Sequence, residues 1–289
     1  MNKRRLSALL LALALLLSLA ACDISWLVGP APAPTEGLAV HFIDVGQGDC
    51  ELIEAQGHFL LIDGGERGSE DKVIKYLRQQ GVERLDYVVA THPHSDHMGG
   101  LAYGVLAAFS VGMVIAPRLS PENTPTTQTY ERFLDAVTEL VAAGTAAKYA
   151  RPGDVYPLGD ASFTILGPLK EDGKNYNNDS VVVRVEYQNS MARLVAALFM
   201  GDAEKPVEAA LLKEYGDGLR ANLLKAGHHG SKTSSNEDFL YMVRPSEIVI
   251  TCGLGNSYGH PSPVVLERCQ AMGIRVSRTD IGGNIVIIL

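Results

Sequence analysis

The 289-residue sequence predicts a single α/β domain in which two β-sheets pack face to face with helices outside them. Three observations lead there. Short apolar runs of strand length alternate with amphipathic runs of helix length. That alternation occurs twice, once in each half of the chain. Glycine is abundant, at 29 residues, as a fold with many tight loops between strands requires. A hydrophobic fraction of 46% and a charged fraction of 20% belong to a soluble globular class, and no short repeat suggests a solenoid.

The elements follow in order. Leu38 to Val45 reads as a buried strand. Glu51 to Glu54 and His58 to Ile62 read as two more around a Gln56-Gly57 turn, closed by Asp63-Gly64-Gly65. Asp71 to Gln80 is a helix, with Val73, Ile74 and Leu77 on one face and Gly81 as its stop. Tyr87 to Ala90 is a short strand that delivers Thr91 and His92 to its C-terminal end, and a helix follows from about Gly99. Val111 to Ile115 is a strand and Thr127 to Ala143 a helix. The second half places strands at Ser162–Leu166, Val181–Tyr187, Leu194–Met200, Leu223–Ala226 and Ile248–Thr251, helices at Glu204–Tyr215 and Ser262–Met272, and two final short strands.

The N-terminus has a different character. Lys3, Arg4 and Arg5 precede an apolar stretch from Leu6 to Leu19, and Leu19-Ala20-Ala21-Cys22 follows. This is a signal-peptide pattern, and the cysteine after two small residues resembles a bacterial lipobox. It implies cleavage after residue 21, lipidation of Cys22 and anchoring to the cell membrane on its extracytoplasmic side. Residues 22–37, with Pro30-Ala31-Pro32-Ala33-Pro34, read as an extended tether. The domain occupies residues 38–289. Three cysteines then remain, Cys50, Cys252 and Cys269, with no C-x-x-C spacing. The odd number argues against a full disulfide framework and the spacing against a thiolate zinc finger, while one pair is left open. The chain carries a net charge of −8. Without Lys3, Arg4 and Arg5, its 25 basic residues fall to 22 against 33 acidic, a net of −11. Nothing supplies the basic run that polyanion binding usually leaves.

The chemistry concentrates in Thr91-His92-Pro93-His94-Ser95-Asp96-His97-Met98-Gly99-Gly100. Three of the eight histidines and an aspartate fall within six residues at a strand end. Imidazole nitrogen with carboxylate oxygen suits Zn²⁺, Mn²⁺ or iron. His92, His94, Asp96 and His97 are therefore candidate metal ligands.

His-x-His-x-Asp-His after a strand resembles the signature of the metallo-β-lactamase superfamily. The resemblance implies an αββα four-layer sandwich with one or two metals at one edge. It also implies a bridging aspartate, matched by Asp202 in Met200-Gly201-Asp202, and a distal histidine, matched in Gly227-His228-His229-Gly230. Residues 42–49 (Phe-Ile-Asp-Val-Gly-Gln-Gly-Asp), Leu61 to Gly65, Asn177-Asn178-Asp179-Ser180, His228 to Ser234 and Asn256 to Pro263 are similar, in that order, to the hydrolase domain of ComEC-type competence proteins. The similarity spans nearly the whole domain. Many binuclear members carry a further histidine between the first motif and the bridging aspartate, and no histidine lies between Met98 and Asp202 here. Either Asn178 or Asp179 stands in as an oxygen ligand, or the site is mononuclear; the shared Asn-rich stretch favours substitution, with Asn178 as the ligand. The cofactors so implied are two divalent ions, Zn²⁺ or Mn²⁺, the second less firmly than the first.

Other residues take subsidiary roles. Asp44, Asp49 and Asp63 are candidates to orient ligand histidines; the alternative for each is turn formation. His228 and His229 cannot both face one ion from a tight turn. One is expected on the metal, with a lean to His229. The other contacts substrate or passes a proton. His260, read as opening the last helix, is a candidate contact for a phosphate or leaving group. Ser231, Lys232 and Thr233 offer hydroxyls and a cation to a phosphodiester.

The function so implied is metal-dependent hydrolysis outside the cytosolic membrane. Its substrate is read as a phosphodiester, DNA above all, with Asp96, His228 and His260 as catalytic groups and water made nucleophilic by the metals. A second reading is an esterase on another phosphate ester, such as cell-wall phosphocholine, or on a lactone. A third is a lipoprotein that binds metal or a partner without catalysis. The acidic charge weighs against DNA, and the ligand set weighs against the third reading. No nucleotide cofactor is called for, and the oligomeric state is left open.

Overall fold

The computed structural model describes residues 37–289. The expected signal segment and tether, residues 1–36 with Cys22, lie outside the described residues. Among these, no helix is long and apolar enough to cross a membrane.

Fourteen strands form two seven-stranded sheets among the described residues. The first contains β1 (Leu38–Phe42), β2 (Glu51–Ala55), β3 (His58–Ile62), β4 (Arg84–Val89), β5 (Ser110–Ala116) and β6 (Ala146–Tyr149). The second contains β7 (Val155–Leu158), β8 (Ala161–Gly167), β9 (Val182–Gln188), β10 (Leu194–Phe199), β11 (Leu223–Lys225), β12 (Glu247–Ile250) and β13 (Arg275–Arg278). The last strand, β14 (Ile285–Ile288), returns to the first sheet and pairs antiparallel with β1, Val40 opposite Ile287. Strand order is β14-β1-β2-β3-β4-β5-β6 in one sheet and β13-β12-β11-β10-β9-β8-β7 in the other.

Side chains alternate along each strand, so a strand can serve two cores. Val40, Phe42, Ile53, Leu60, Ile62 and Val89 face the second sheet and meet Phe163, Val183, Val185, Ala197 and Phe199. Phe42 stacks on Phe199 with centroids 6.2 Å apart. That contact ties the end of β1 to the end of β10, where both strands enter the site. Leu52, Leu61 and Val88 point the other way, into a second core beneath α1 (Glu70–Gln79), α2 (Ser95–Gly100) and α3 (Gln128–Ala142). Leu198, Leu224 and Ile248 build a third beneath α4 (Lys205–Tyr215), α5 (Glu237–Val243) and α6 (Pro263–Ala271). The result is helix, sheet, sheet, helix, the four-layer sandwich expected.

Local chemistry explains the helices. α1 carries Glu70 and Asp71 in its first turn, favourable to the helix dipole, and buries Val73 and Leu77, four residues apart. Thr127 caps α3 by accepting the Tyr130 N–H. The sequence reading omitted β6 and β7. β6 is an edge strand whose Ala146–Tyr149 side chains are all exposed, so it lacks the apolar run that signals a strand. The helix expected from Gly99 starts at Ser95, because the backbone carbonyl of His94 already accepts the N–H of His97 and Met98. Cys50, Cys252 and Cys269 are all free and buried.

Candidate metal centre

β3, β4 and β5 run parallel, as do β10, β11 and β12. Open sheets of parallel strands gather ligand sites beyond their C-terminal ends. Here β4 delivers His92, His94, Asp96 and His97, β10 delivers Asp202, and β11 delivers His228 and His229. Two close backbone contacts fix these loops. Gly48 lies at φ +141°, and a Cβ on it would stand 2.3 Å from the carbonyl oxygen of Asp96. A Cβ on Gly100 would stand 1.9 Å from that of Gly64. Only glycine permits either approach.

Two groups of ligand atoms meet on Asp202. In the first, His92 Nε2 lies 3.0 Å from His94 Nδ1 and 3.7 Å from Asp202 Oδ2. In the second, Asp202 Oδ1 lies 3.2 Å from His97 Nε2 and 3.4 Å from His229 Nε2. Asp96 Oδ2 closes that group, 3.2 Å from His229 Nε2 and 3.9 Å from His97 Nε2. Asp49 is equally near the two rings but on their far side, 3.7 Å from His97 Nδ1 and 3.2 Å from His229 Nδ1. Asp49 therefore orients these rings, while Asp96 shares the convergence point.

The backs of three of these rings are held. His97 Nδ1 lies 2.7 Å from Asp63 Oδ2. His229 Nδ1 donates to the carbonyl of Thr251 at 3.0 Å. The Thr91 hydroxyl donates to Asp63 at 2.6 Å and lies 3.1 Å from His92 Nδ1, whose N–H it accepts. Each contact at Nδ1 turns Nε2 toward the convergence point, the arrangement that raises ligand basicity towards a metal.

At the fronts, His97 Nε2 and Asp202 Oδ1 are buried and face one another at 3.2 Å, with no further hydrogen-bond partner. Burial alone would depress the His97 imidazole, yet Asp202, Asp63, Asp49 and Asp96 hold it well above its ordinary value. Burial works against His229 too, and Asp202 and Asp49 carry it up to about 10. Burial would raise the Asp202 carboxyl, but His229 and His97 hold it well below the carboxylate range. The donor set, imidazole nitrogen and carboxylate oxygen, fits divalent zinc or manganese.

Several expectations are corrected. Asn178 is not at the centre: its Oδ1 accepts the Glu204 N–H and its Nδ2 donates to Asp172. The neighbour, Asn177, lines the cavity, and its Oδ1 is buried without a partner. Residues 176–179 form a 3₁₀ turn, in which consecutive side chains diverge by a third of a turn. Sequence spacing cannot choose between the two. Asp44 does not orient a ligand; it accepts the Gly46 N–H and pairs with Lys72 at the surface. Lys232 is exposed and does not line the cavity. Ser231 and Thr233 bond to each other, and Thr233 donates to Glu204, so both shape the loop. His260 does not open the helix, since α6 starts at Pro263 after Ser262; its backbone N–H and carbonyl are instead taken by Asn256.

His228 and His260 do line the cavity. His228 Nδ1 lies 3.1 Å from Glu204 Oε1, and its Nε2 lies 3.8 Å from Asp202 Oδ2. Burial, with His229 and His228 nearby, lowers the His260 imidazole to about 4. The sequence reading missed Glu204, Thr251, Tyr258 and Lys225. Lys225 is 1% exposed, ion-paired to Asp49, and donates to the Gly201 carbonyl at 3.3 Å. Its signal was an isolated lysine inside an otherwise apolar strand.

A family model described as the metallo-beta-lactamase superfamily matches residues 43–253. The chain is 30% identical over 285 residues to ComE operon protein 3 of Bacillus subtilis, covering 91% of this chain and 34% of that protein. It is 32% identical over 255 residues to competence protein ComA of Neisseria gonorrhoeae, covering 88% and 33%. The chain thus spans about a third of the length of these relatives. Among solved structures, the CmlA beta-hydroxylase E377D mutant aligns with a TM-score of 0.59 at 15% identity, over 89% of this chain and 55% of that one. The fold protein YhfI of Bacillus subtilis aligns at 0.53 and 13%, over 86% and 99%. These two likenesses concern the fold alone.

Proposed function

The chain belongs to the metallo-β-lactamase superfamily, and from that premise we propose that it is a metal-dependent phosphodiesterase acting on DNA outside the cytosolic membrane. One observation carries the hydrolase reading: two candidate ligand groups meet on the two oxygens of Asp202, His92 at Oδ2 and His97 with His229 at Oδ1, all of them buried. The location rests on the leader and Cys22 in the sequence. The choice of a phosphodiester rests on similarity to competence proteins.

Divalent metals at such a centre lower the pKa of water and neutralise charge building on phosphoryl oxygens. The chain supplies the rest. His92, His94 and Asp202 would hold one ion, with Asn177 Oδ1 as the neutral oxygen donor in place of a third histidine. Asp96, His97, Asp202 and His229 would hold the other. Asp96 also faces the cavity, where a carboxylate oxygen can accept a proton from the attacking water. Glu204 accepts the Nδ1–H of His228, so His228 Nε2 is the atom that passes a proton to the leaving oxygen. His260, neutral near pH 7, serves as a hydrogen-bond donor to a phosphoryl oxygen rather than as an acid.

The test is hydrolysis of bis-p-nitrophenyl phosphate and of DNA by protein loaded with Mn²⁺ or Zn²⁺. Asp96→Ala and Asp202→Ala are expected to lose about a hundredfold or more in rate. Cleavage confined to another phosphate ester or a lactone would move the function to that substrate. No metal uptake and no ester hydrolysis would sink the enzyme reading and leave a binding lipoprotein.

A further inference from the structure

The loop between β12 and α6 builds a rigid aromatic surface at the cavity mouth. Asn256 organises it: its Nδ2 donates to the carbonyls of Gly253 and His260, and its Oδ1 accepts the N–H groups of Tyr258 and His260. One side chain thereby fixes both ends of the turn. Tyr258 stacks on His260, centroids 5.7 Å apart and planes at 23°. Tyr258 is 70% exposed. A large aromatic side chain in contact with solvent and lining the cavity has apolar surface that folding leaves unburied.

The cavity around it is about 320 Å³, the size of a small-molecule pocket. It is lined by Gln47, Asn177, histidines and aspartates, with no lysine or arginine among the described residues. A protein that tracks a nucleic-acid backbone does so with such cations. This chain, with 33 acidic against 25 basic residues, has few to spare. Strand affinity must then come from elsewhere, and base stacking on an aromatic face is the sequence-tolerant source. His260 Nδ1 adds a second sign of a ligand, since it is buried with no hydrogen-bond partner.

We propose that Tyr258, backed by His260 and pinned by Asn256, is a stacking platform for an unpaired base next to the scissile phosphate, so that the substrate is single-stranded DNA or a frayed strand end. The inference rests on the phosphodiesterase reading for its substrate class. A duplex hides the faces of its bases in its own stack, so the platform discriminates by strandedness. The neighbouring phosphate is then set over Asp96 and Asp202, while Gln47, across the cavity, is held by the Gly253 N–H at 3.2 Å.

Binding to the full chain separates this idea from hydrolysis. Fluorescence anisotropy would compare an octathymidylate bearing phosphorothioate linkages with a strand of the same length and linkages that lacks bases. The wild-type protein is expected to prefer the thymidylate. Tyr258→Ala should weaken it by about 5- to 150-fold and leave the abasic strand unchanged, while Tyr258→Trp should restore binding. Tyr258→Leu, which keeps bulk without a π-face, should resemble alanine. Equal affinity of the wild type for both strands, or equal loss for both in Tyr258→Ala, overturns the platform. Base-dependent binding without cleavage of any diester would leave the platform standing and sink the hydrolase. Cleavage of bis-p-nitrophenyl phosphate with base-independent binding would do the reverse.

Discussion

Lys225→Met removes the one buried lysine or arginine among the described residues, which lies beneath the candidate metal centre. Lys225 and Asp49 are each 1% exposed and form an ion pair. Asp49 meanwhile accepts from the Thr251 hydroxyl and faces His229 Nδ1 at 3.2 Å. Burial by itself would raise the Asp49 carboxyl, but Lys225, His229 and His97 hold it well below the carboxylate range. The carboxylate is therefore charged, and methionine would leave it in the interior without its main partner. Breaking a buried pair this way costs about 3–5 kcal/mol, against a total of about 5–15 kcal/mol for a typical domain. For a domain of this size that is a fall of about 6–20 °C in Tm. Urea unfolding of the chelator-treated protein measures it. The cause is tested by adding Asp49→Asn. Asparagine keeps an oxygen for Thr251 and His229 and removes the charge, so the double variant should recover about 2 kcal/mol or more of the loss. If the two substitutions simply add, the cost comes from packing around the lysine stem, and the electrostatic account is wrong.

Two further outcomes follow from the geometry. Gly48→Ala should weaken metal uptake at the Asp96–His97–His229 group while sparing His92 and His94, because its Cβ meets the Asp96 carbonyl. Two-site calorimetric titration reads this, and Gly46→Ala, with φ +79° but open space around its Cβ, is the control for backbone strain alone. Burial pushes the Glu208 carboxyl up from 4.5 to about 7, despite the N–H groups of Ser235 and Asn236 that it accepts. Its folded pKa exceeds its unfolded one, so the native state binds the extra proton between those values. Its contribution is then full below about 4.5 and lost as pH rises through 7. The stability of the wild type relative to Glu208→Gln should fall by up to about 3 kcal/mol between pH 4.5 and 8, and a flat difference would refute the shift.

The sequence by itself determined the alternation of strands and helices, and with it the sandwich. It also placed His92, His94, Asp96 and His97 at a strand end, because ligands from one loop are local in sequence and need only chain stiffness to converge. Asp202 and the His228-His229 pair were reached through the superfamily resemblance, with only a lean to His229. What only the tertiary structure decided lies between segments far apart in the chain. Asn177 rather than Asn178 meets the cavity because a 3₁₀ turn sends consecutive side chains in different directions. Asp49 turns inward while Asp44, five residues earlier, pairs at the surface with Lys72. Lys225 finds Asp49 across the sandwich, and Glu204 finds His228 across two loops. Such pairings depend on which strand ends the packed cores bring together, and that is a property of the assembled layers rather than of any one segment.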